Sequence, residues 1–208
     1  MKGYSFGGVS VNSADAVRNL EKVLKLFSDP LVVVISAMGK TTNALEKVVH
    51  DYYNRKRSLA DRVNFVKDFH YSIIYDLFPD KSHPVYSDIG HIFQKMQEKL
   101  DEEPSMHFNF EYDQIVCYGE ILSTKIVCHY LHSVKMNVKW MDIRKFLKTD
   151  NNYREAKLNY ELSESNVRKA FHFNDTNTYI TQGFIGSTIS NLSTTLVREG
   201  SDFTAAVM

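Results

Sequence analysis

Five consecutive apolar residues, Leu31-Val32-Val33-Val34-Ile35, restrict the fold of this chain more than any other feature of its sequence. A strand with one wet face alternates apolar and polar residues, whereas an unbroken β-branched run is typical of a strand covered on both faces of a parallel sheet. The run is also too short to cross a bilayer, because a spanning helix needs about 20 apolar residues. It therefore predicts an α/β layer fold.

Apolar residues at helical spacing flank this run on both sides. Before it, a short strand-like start reaches the Gly7-Gly8 turn, and Asn12 or Ser13 can cap a helix that Asp29-Pro30 would end. After it, the pattern predicts three successive amphipathic helices between residues 45 and 100. Strands and helices thus alternate in the order that an α/β fold requires.

The second half of the chain is less regular. A fourth helix is predicted from about Tyr112 to Leu131, with Glu120 off its apolar stripe. Alternation from Val134 to Trp140 predicts a strand with one wet face, and Tyr179-Ile180-Thr181-Gln182 predicts another. Residues 145–164 are polar and support no assignment.

Residues 183–200 are rich in Gly, Ser and Thr, a composition typical of binding loops. Ser201 is then predicted to cap a helix that has no stop signal before the sequence ends. No internal repeat or linker divides the chain. We therefore expect one domain over residues 1–208, incomplete at its C-terminus.

The charge balance excludes some classes of partner. Lys+Arg and Asp+Glu are both 25, so the formal net charge is zero, whereas nucleic acids and anionic membranes select a surplus of cations. Cys117 and Cys128 are too few and too far apart for a disulfide scaffold or a thiolate metal site. Because no signal-peptide pattern opens the chain either, we expect a cytoplasmic protein with no nucleic-acid or membrane partner.

Two motifs suggest chemistry that their surroundings do not support. Gly39-Lys40-Thr41 resembles the end of a phosphate-binding P-loop, but the glycine that this motif requires five positions earlier is Val34. His129 and His132 are one helical turn apart, yet no third ligand accompanies them. The sequence therefore favours neither a P-loop nucleoside triphosphatase nor a metal site.

Small and polar residues gather instead where the strands end, in the segments that begin at Gly7, Ser36 and Gly183 and again at Arg198. Ligands of open α/β sheets bind beyond the carboxyl ends of the strands, where glycines let backbone N–H groups approach phosphate oxygens. A phosphorylated ligand is the natural hypothesis. For any one of these loops taken alone, an ordinary βα turn is the commoner explanation of its glycines.

Taken together, these loops resemble the catalytic domain of aspartokinases, in the amino-acid kinase superfamily. The stretches that carry the resemblance are Phe6-Gly7-Gly8-Val9-Ser10-Val11, Val33 to Gly39 with Thr42-Asn43-Ala44-Leu45, Tyr118 to Ser123, Thr181 to Gly186, and Thr194 through Ala206. They occur in the family's order and span nearly the whole chain. The resemblance implies a three-layer αβα sandwich with a mainly parallel central sheet, ending before the nucleotide-binding half is complete and without regulatory ACT domains.

The resemblance also implies a reaction, the transfer of the γ-phosphoryl group of ATP, with Mg²⁺, to the side-chain carboxylate of L-aspartate. This step leads towards lysine, threonine and methionine. The partners would then be these small molecules, with a homodimer left open.

The site residues implied by the resemblance fall into three groups. The substrate-binding positions are Thr42, Glu120, Arg198 and Ser201, the phosphate-binding or nucleotide-binding positions are Gly7, Gly8, Ser36 and Gly186, and the catalytic positions are Ser5 and Asp202. Arg198 can hold a carboxylate through two parallel hydrogen bonds, and Glu120 can pair with an ammonium group. No residue is assigned to a metal.

The chain departs from the family pattern at two of its positions. Ser5 stands where the family has a lysine that contacts the transferred phosphates, and the loss of one such donor typically lowers the rate by roughly 10²–10³. Val197 stands where a glycine usually precedes the arginine. An alternative function is therefore a catalytically impaired relic or fragment that keeps the fold and aspartate binding.

Overall fold

Leu31–Ile35 forms one of the two buried inner strands of a four-stranded parallel sheet, as its composition predicts. The computed structural model describes residues 2–196 and 200–208, and for residues 2, 200 and 201 the backbone alone. The strands of the sheet are β1 (Lys2–Phe6), β2 (Leu31–Ile35), β3 (Val138–Trp140) and β4 (Thr178–Gln182). Their order across the sheet is β1-β2-β4-β3, so their carboxyl ends meet at one edge.

Helices and one hairpin complete the described part of the chain. The helices are α1 (Ala14–Leu24), α2 (Thr41–Tyr53), α3 (Leu59–Leu77), α4 (Val85–Asp101), α5 (Phe108–Val116), α6 (Tyr118–Ser133), α7 (Tyr160–Ala170) and α8 (Gly200–Val207). The hairpin pairs β5 (Ile185–Ser187) with β6 (Ser193–Thr195) in antiparallel register. No helix in the described ranges is both long enough and apolar enough for a membrane crossing.

The two faces of β2 enter two separate cores. Val33 and Ile35 belong to the larger core, which contains most of the buried apolar residues of α1 to α6. Val32 and Val34 belong to a second core with residues of α7 and of the β5–β6 hairpin, and Ala205 of α8 packs against it. Alternate residues of a strand point to opposite faces, so one apolar run supplies both cores. The three-layer αβα arrangement is thereby confirmed.

The predicted fourth helix is wrong in one respect, because it consists of two helices. Cys117 lies between α5 and α6 with φ −55° and ψ −23°, which is still near helical geometry. The apolar spacing therefore continues across the junction, and periodicity cannot detect the break. Glu120 lies off the apolar stripe but does not face solvent. Only 2% of this residue is exposed, because α6 is buried on nearly all sides.

Three further elements differ from their predictions. Helix α1 ends at Leu24, before Asp29-Pro30, and its cap is Ser13, whose hydroxyl accepts the Ala16 N–H. The strand expected from Val134 is limited to β3, because Val134 closes α6. Residues 145–164, which supported no assignment, contain the start of α7, capped by the side chain of Asn159.

The Gly, Ser and Thr-rich segment is also more regular than a binding loop. Residues 185–187 and 193–195 form the β5–β6 hairpin, all six of them buried. Helix α8 begins at Gly200, so Ser201 lies within its first turn and is not the residue before it. Small polar residues can thus build buried strands where their hydroxyl groups find partners.

Helix α8 lies directly on the first strand. A Cβ atom added at Gly3 would be 2.7 Å from the backbone oxygen of Ala205, a separation that real Cβ atoms do not show. Only glycine therefore allows this approach. The contact joins the two ends of the described chain.

Candidate functional site

The loops that follow β1 and β2 are hydrogen-bonded to each other at the carboxyl edge of the sheet. The N–H of Ser36 donates to the carbonyl of Phe6 at 3.1 Å, and the N–H of Gly39 donates to the carbonyl of Gly8 at 2.9 Å. A Cβ atom at Gly8 would lie 2.6 Å from the carbonyl oxygen of Ala37. Glycine at this position is therefore required for packing between the two loops, whatever else it does.

The first turn of α6 contacts the same carboxyl edge of the sheet through a hydrogen bond and close packing. The hydroxyl of Ser123 donates to the carbonyl of Ser36 at 2.8 Å. A Cβ atom at Gly119 would lie 3.1 Å from the Cβ of Ala37 and 3.2 Å from Leu45, so the helix start packs closely on the β2–α2 loop. This packing holds the next residue, Glu120, against the strand ends.

Glu120 is a buried carboxyl group without a full set of partners. Within the part of the chain that the structure describes, its Oε2 atom has no hydrogen-bond partner. Burial raises the pKa of Glu120 to about 8, while the backbone N–H groups of Glu120 itself and of Ala37 favour the charged form. An unsatisfied buried carboxyl is costly to keep, and a cationic or hydrogen-bond-donating ligand would satisfy it.

A polar network behind Glu120 joins α6 to the ends of β3 and β4. The hydroxyl of Thr124 donates to the Glu120 carbonyl at 2.8 Å and accepts Trp140 Nε1–H at 2.9 Å and Gln182 Nε2–H at 2.8 Å. Gln182 also accepts the N–H of Ile143 at 2.8 Å through its other amide atom. The sequence analysis did not identify this network, because its members come from three separate segments of the chain.

A second missed feature is the buried carboxylate of Asp113 in α5. It accepts the hydroxyl of Thr195 at 2.6 Å, the N–H of Thr195 at 2.9 Å and the N–H of Arg154 at 3.0 Å. These bonds attach β6 and the loop at residue 154 to α5. A lone aspartate in a helical pattern gives no sign of such a role.

Several of the predicted site residues lie around the strand ends. Ser5 is half-buried in β1 opposite Val34, and Thr42 is half-buried in the first turn of α2. The backbone of Gly7 is exposed, and a Cβ atom there would have no neighbour within 4 Å. Ser36 keeps only its hydroxyl available, because its N–H and its carbonyl are both engaged.

The other predicted residues are placed differently or are not described. Asp202 is exposed in the first turn of α8. Gly186 is buried in β5, where a Cβ atom would lie 3.0 Å from the Leu147 carbonyl oxygen, so packing alone accounts for this glycine. Arg198 and Val197 lie outside the described residues, as does the side chain of Ser201.

The histidine pair has local partners on the protein. His129 Nε2 lies 3.0 Å from a carboxylate oxygen of Asp88, and His132 Nε2 lies 2.6 Å from the carbonyl oxygen of Val138. Across residues 2–196 and 200–208 there is no group of three or more His, Cys, Asp or Glu side chains placed to hold a metal ion.

Known proteins similar to this chain share both its sequence pattern and its fold. An aspartokinase of Chlamydia trachomatis is 27% identical over 203 residues, which are 98% of this chain and 44% of the relative. A chloroplastic bifunctional aspartokinase/homoserine dehydrogenase of Daucus carota is 28% identical over 216 residues, covering 99% of this chain and 23% of the relative. The chain thus spans less than half the length of these curated relatives.

The solved structures agree on the fold. Escherichia coli aspartokinase III in complex with aspartate and ADP superposes with a TM-score of 0.86 at 23% identity, over 98% of this chain and 45% of that chain. The aspartate kinase of Clostridium acetobutylicum gives a TM-score of 0.78 at 18% identity, over 100% of this chain and 44% of that one. A sequence model of the amino acid kinase family matches residues 4–208. This chain therefore belongs to the amino acid kinase family.

Proposed function

We propose that this chain carries the aspartate-binding part of an aspartokinase, which transfers the γ-phosphoryl group of ATP to the side-chain carboxylate of L-aspartate. The observation that carries the proposal is Glu120, whose buried Oε2 atom has no hydrogen-bond partner among the described residues. The ammonium group of an amino acid supplies the donors and the charge that this carboxyl lacks. The aspartokinase relatives support the choice of amino acid.

In this proposal the chain positions the reactants and does not form a covalent bond with them. A side-chain carboxylate oxygen of aspartate attacks the γ-phosphorus of ATP, the bond to the bridging oxygen breaks, and ADP leaves with that oxygen's negative charge. Such a transfer depends mainly on alignment and on stabilisation of charge. Glu120 would hold the ammonium group and Arg198 a carboxylate of the substrate, while Thr42, Ser201 and Asp202 would complete the substrate side.

The loop at Gly7 fits the nucleotide's phosphates. A Cβ atom at Gly7 would have no neighbour within 4 Å, so phosphate oxygens can approach the exposed backbone there. Mg²⁺ would be held chiefly by the phosphates, because the described residues form no metal-ligand cluster of their own. When bound, it would neutralise charge on the phosphoryl group.

A second candidate function is aspartate binding without efficient catalysis, and Ser5 favours it. This side chain is neutral and half-buried in β1, at the position where the family has a phosphate-contacting lysine. Chemistry would then be slow while Glu120 and the fold still bound the amino acid.

Calorimetry and an acyl-phosphate assay test the two functions separately. We expect L-aspartate to bind and Glu120→Gln to weaken its tightest binding by about tenfold or more, whereas Glu161→Gln, at an exposed glutamate of α7, leaves it unchanged. Succinate, which lacks the ammonium group, should bind the wild-type chain more weakly than L-aspartate. Trapping with hydroxylamine then reports aspartyl phosphate, and binding without trapped product would favour the second function. Equal L-aspartate affinity in the wild-type and Glu120→Gln chains would contradict both functions.

A further inference from the structure

A cavity of about 550 Å³ opens to solvent between α2, α5 and the β5–β6 hairpin, and Glu120 is not part of its lining. Its walls include Glu46, Tyr112, Asn152, Arg154, Phe184 and Leu196, and we call it the outer cavity. Small-molecule sites commonly have volumes of roughly 300–1,000 Å³ and a few polar groups that converge on the ligand. Its volume lies in that range, and none of the described residues that line it belongs to the proposed aspartate set.

Two lining residues of the outer cavity adopt left-handed backbone conformations without being glycine. Arg154 has φ 72° and Phe184 has φ 66°. Each such residue costs of order 1–3 kcal/mol and persists only where its surroundings impose it. At Arg154 the constraint is visible, because its N–H donates to the buried carboxylate of Asp113 at 3.0 Å.

The side chain of Arg154 is also held in place. Its guanidinium carbon lies 4.3 Å from the centre of the Tyr112 ring, and the Tyr112 hydroxyl donates to Glu46 Oε1 at 2.9 Å. Stacking on an aromatic ring covers the flat face of a guanidinium and leaves its N–H edge free to donate. Among the described residues, neither Arg154 nor Glu46 forms a salt bridge.

We infer that the outer cavity is a second small-molecule site, which binds an α-amino acid with its carboxylate on Arg154 and its ammonium group towards Glu46. A fixed guanidinium without a partner suits a planar carboxylate, since its N–H donors match both oxygens. Glu46 supplies the opposite charge at the hydroxyl end of the Tyr112 ring, so a zwitterion fits better than a simple anion. The site is distinct from the one proposed around Glu120 and does not depend on phosphoryl transfer.

The test is a titration of the ¹⁵N-labelled chain with L-alanine, propionate and methylamine, followed by NMR. We expect L-alanine to shift the amide signals of Tyr112, Asn152 and Phe184 saturably, propionate to bind more weakly and methylamine not to bind. Arg154→Gly keeps the left-handed backbone accessible while it removes the guanidinium, and should weaken L-alanine binding by about tenfold or more. Arg57→Gly, at an exposed arginine in the turn before α3, is the matched control and should change nothing.

Glu120→Gln separates this site from the proposed aspartate site. If the outer cavity is an independent site, its response to L-alanine persists in Glu120→Gln, even where the tighter binding of L-aspartate at the Glu120 site is lost. The inference is overturned if L-alanine gives no saturable shifts in the wild-type chain, or if Arg154→Gly leaves them unchanged. It is equally overturned if Glu120→Gln removes them, because the cavity would then be part of the aspartate site.

Discussion

The carboxylate of Asp113 accepts both the hydroxyl and the backbone N–H of Thr195, at 2.6 Å and 2.9 Å, although the two residues are far apart in the sequence. Both residues are buried, and the same carboxylate accepts the N–H of Arg154. One aspartate therefore satisfies three donors, two of which belong to the buried residue Thr195. It also attaches the β5–β6 hairpin to the helical layer.

Asp113→Asn is expected to lower the free energy of unfolding by about 1–3 kcal/mol, because an amide group offers fewer acceptor sites to three donors. Urea denaturation followed by circular dichroism measures this change. Asp68→Asn, at an exposed aspartate of α3, serves as the control and should have little effect. If the Asp113→Asn chain is as stable as the wild type, the three hydrogen bonds to Asp113 make no net contribution to the free energy of unfolding.

L-aspartate should bind more tightly as the pH rises towards and past the pKa of Glu120. Burial raises that pKa to about 8, so much of the carboxyl is neutral at neutral pH and cannot form an ion pair with the ammonium group. Binding at neutral pH should therefore release a proton. Calorimetry in buffers of different ionisation enthalpy measures the release, and a pH-independent affinity would contradict the assignment.

The same raised pKa predicts how Glu120 affects stability. The folded chain favours the protonated carboxyl, so its contribution to stability is fully present below the ordinary pKa of 4.5 and is lost as the pH rises through about 8. Glu120→Gln removes this loss, because the amide stays neutral. Thermal unfolding should show a larger gain in Tm for Glu120→Gln at alkaline pH than at mildly acidic pH. Equal gains at both would mean that the carboxyl does not titrate in this range.

His70 should make the fold sensitive to acid. Its ring is fully buried in α3, Nδ1–H donates to the Val66 carbonyl at 2.7 Å, and no described residue pairs with Nε2. Burial lowers the pKa of His70 from 6.5 to about 4, so its contribution to stability is present above the unfolded value and is lost as the pH falls through the folded one.

His70→Leu should therefore flatten the dependence of unfolding free energy on pH between those two values. Each proton taken up on unfolding contributes a slope of about 1.4 kcal/mol per pH unit. His91→Leu, at an exposed histidine of α4, should leave the slope unchanged. Denaturant titrations at several pH values make the comparison, and an unchanged slope in His70→Leu would refute the role of this ring.

At position 154, glycine should be better tolerated than alanine. The backbone has φ 72°, which glycine adopts freely and alanine adopts only with strain, and both variants lose the same stacked guanidinium. We expect Arg154→Gly to be more stable than Arg154→Ala by about 1 kcal/mol in urea denaturation. The reverse order would mean that the backbone relaxes out of the left-handed region.

The sequence predicts those parts of the fold whose signals are local. The apolar run of β2 and the helical spacing of α2 to α4 reflect neighbours within a few residues, and both are confirmed. The β5–β6 hairpin could not be predicted in this way. Its residues Ser193-Thr194-Thr195 show no apolar alternation, and their burial depends on distant partners such as Asp113.

The same distinction between local signals and tertiary contacts applies to the candidate site. Loop motifs predict that Gly8, Ser36 and Glu120 belong to one edge of the sheet, and packing brings their segments together. The burial of Glu120 was not predicted. A polar residue off the apolar stripe of a helix is expected to face solvent, but α6 has almost no solvent-exposed side. The hydroxyl network of Thr124 with Trp140 and Gln182 is likewise a product of tertiary structure alone.

The contact between Gly3 and Ala205 bears on the order in which the chain can fold. During synthesis β1 emerges well before α8, so the contact at Gly3 cannot form until the residues between these two elements have been synthesised. Contacts between residues so distant in sequence form slowly, because closing a long loop costs entropy before the contact can repay it. Ser5 and Asp202, which lie on these two elements, are therefore expected to come together only late, after α8 has been synthesised and has packed on β1.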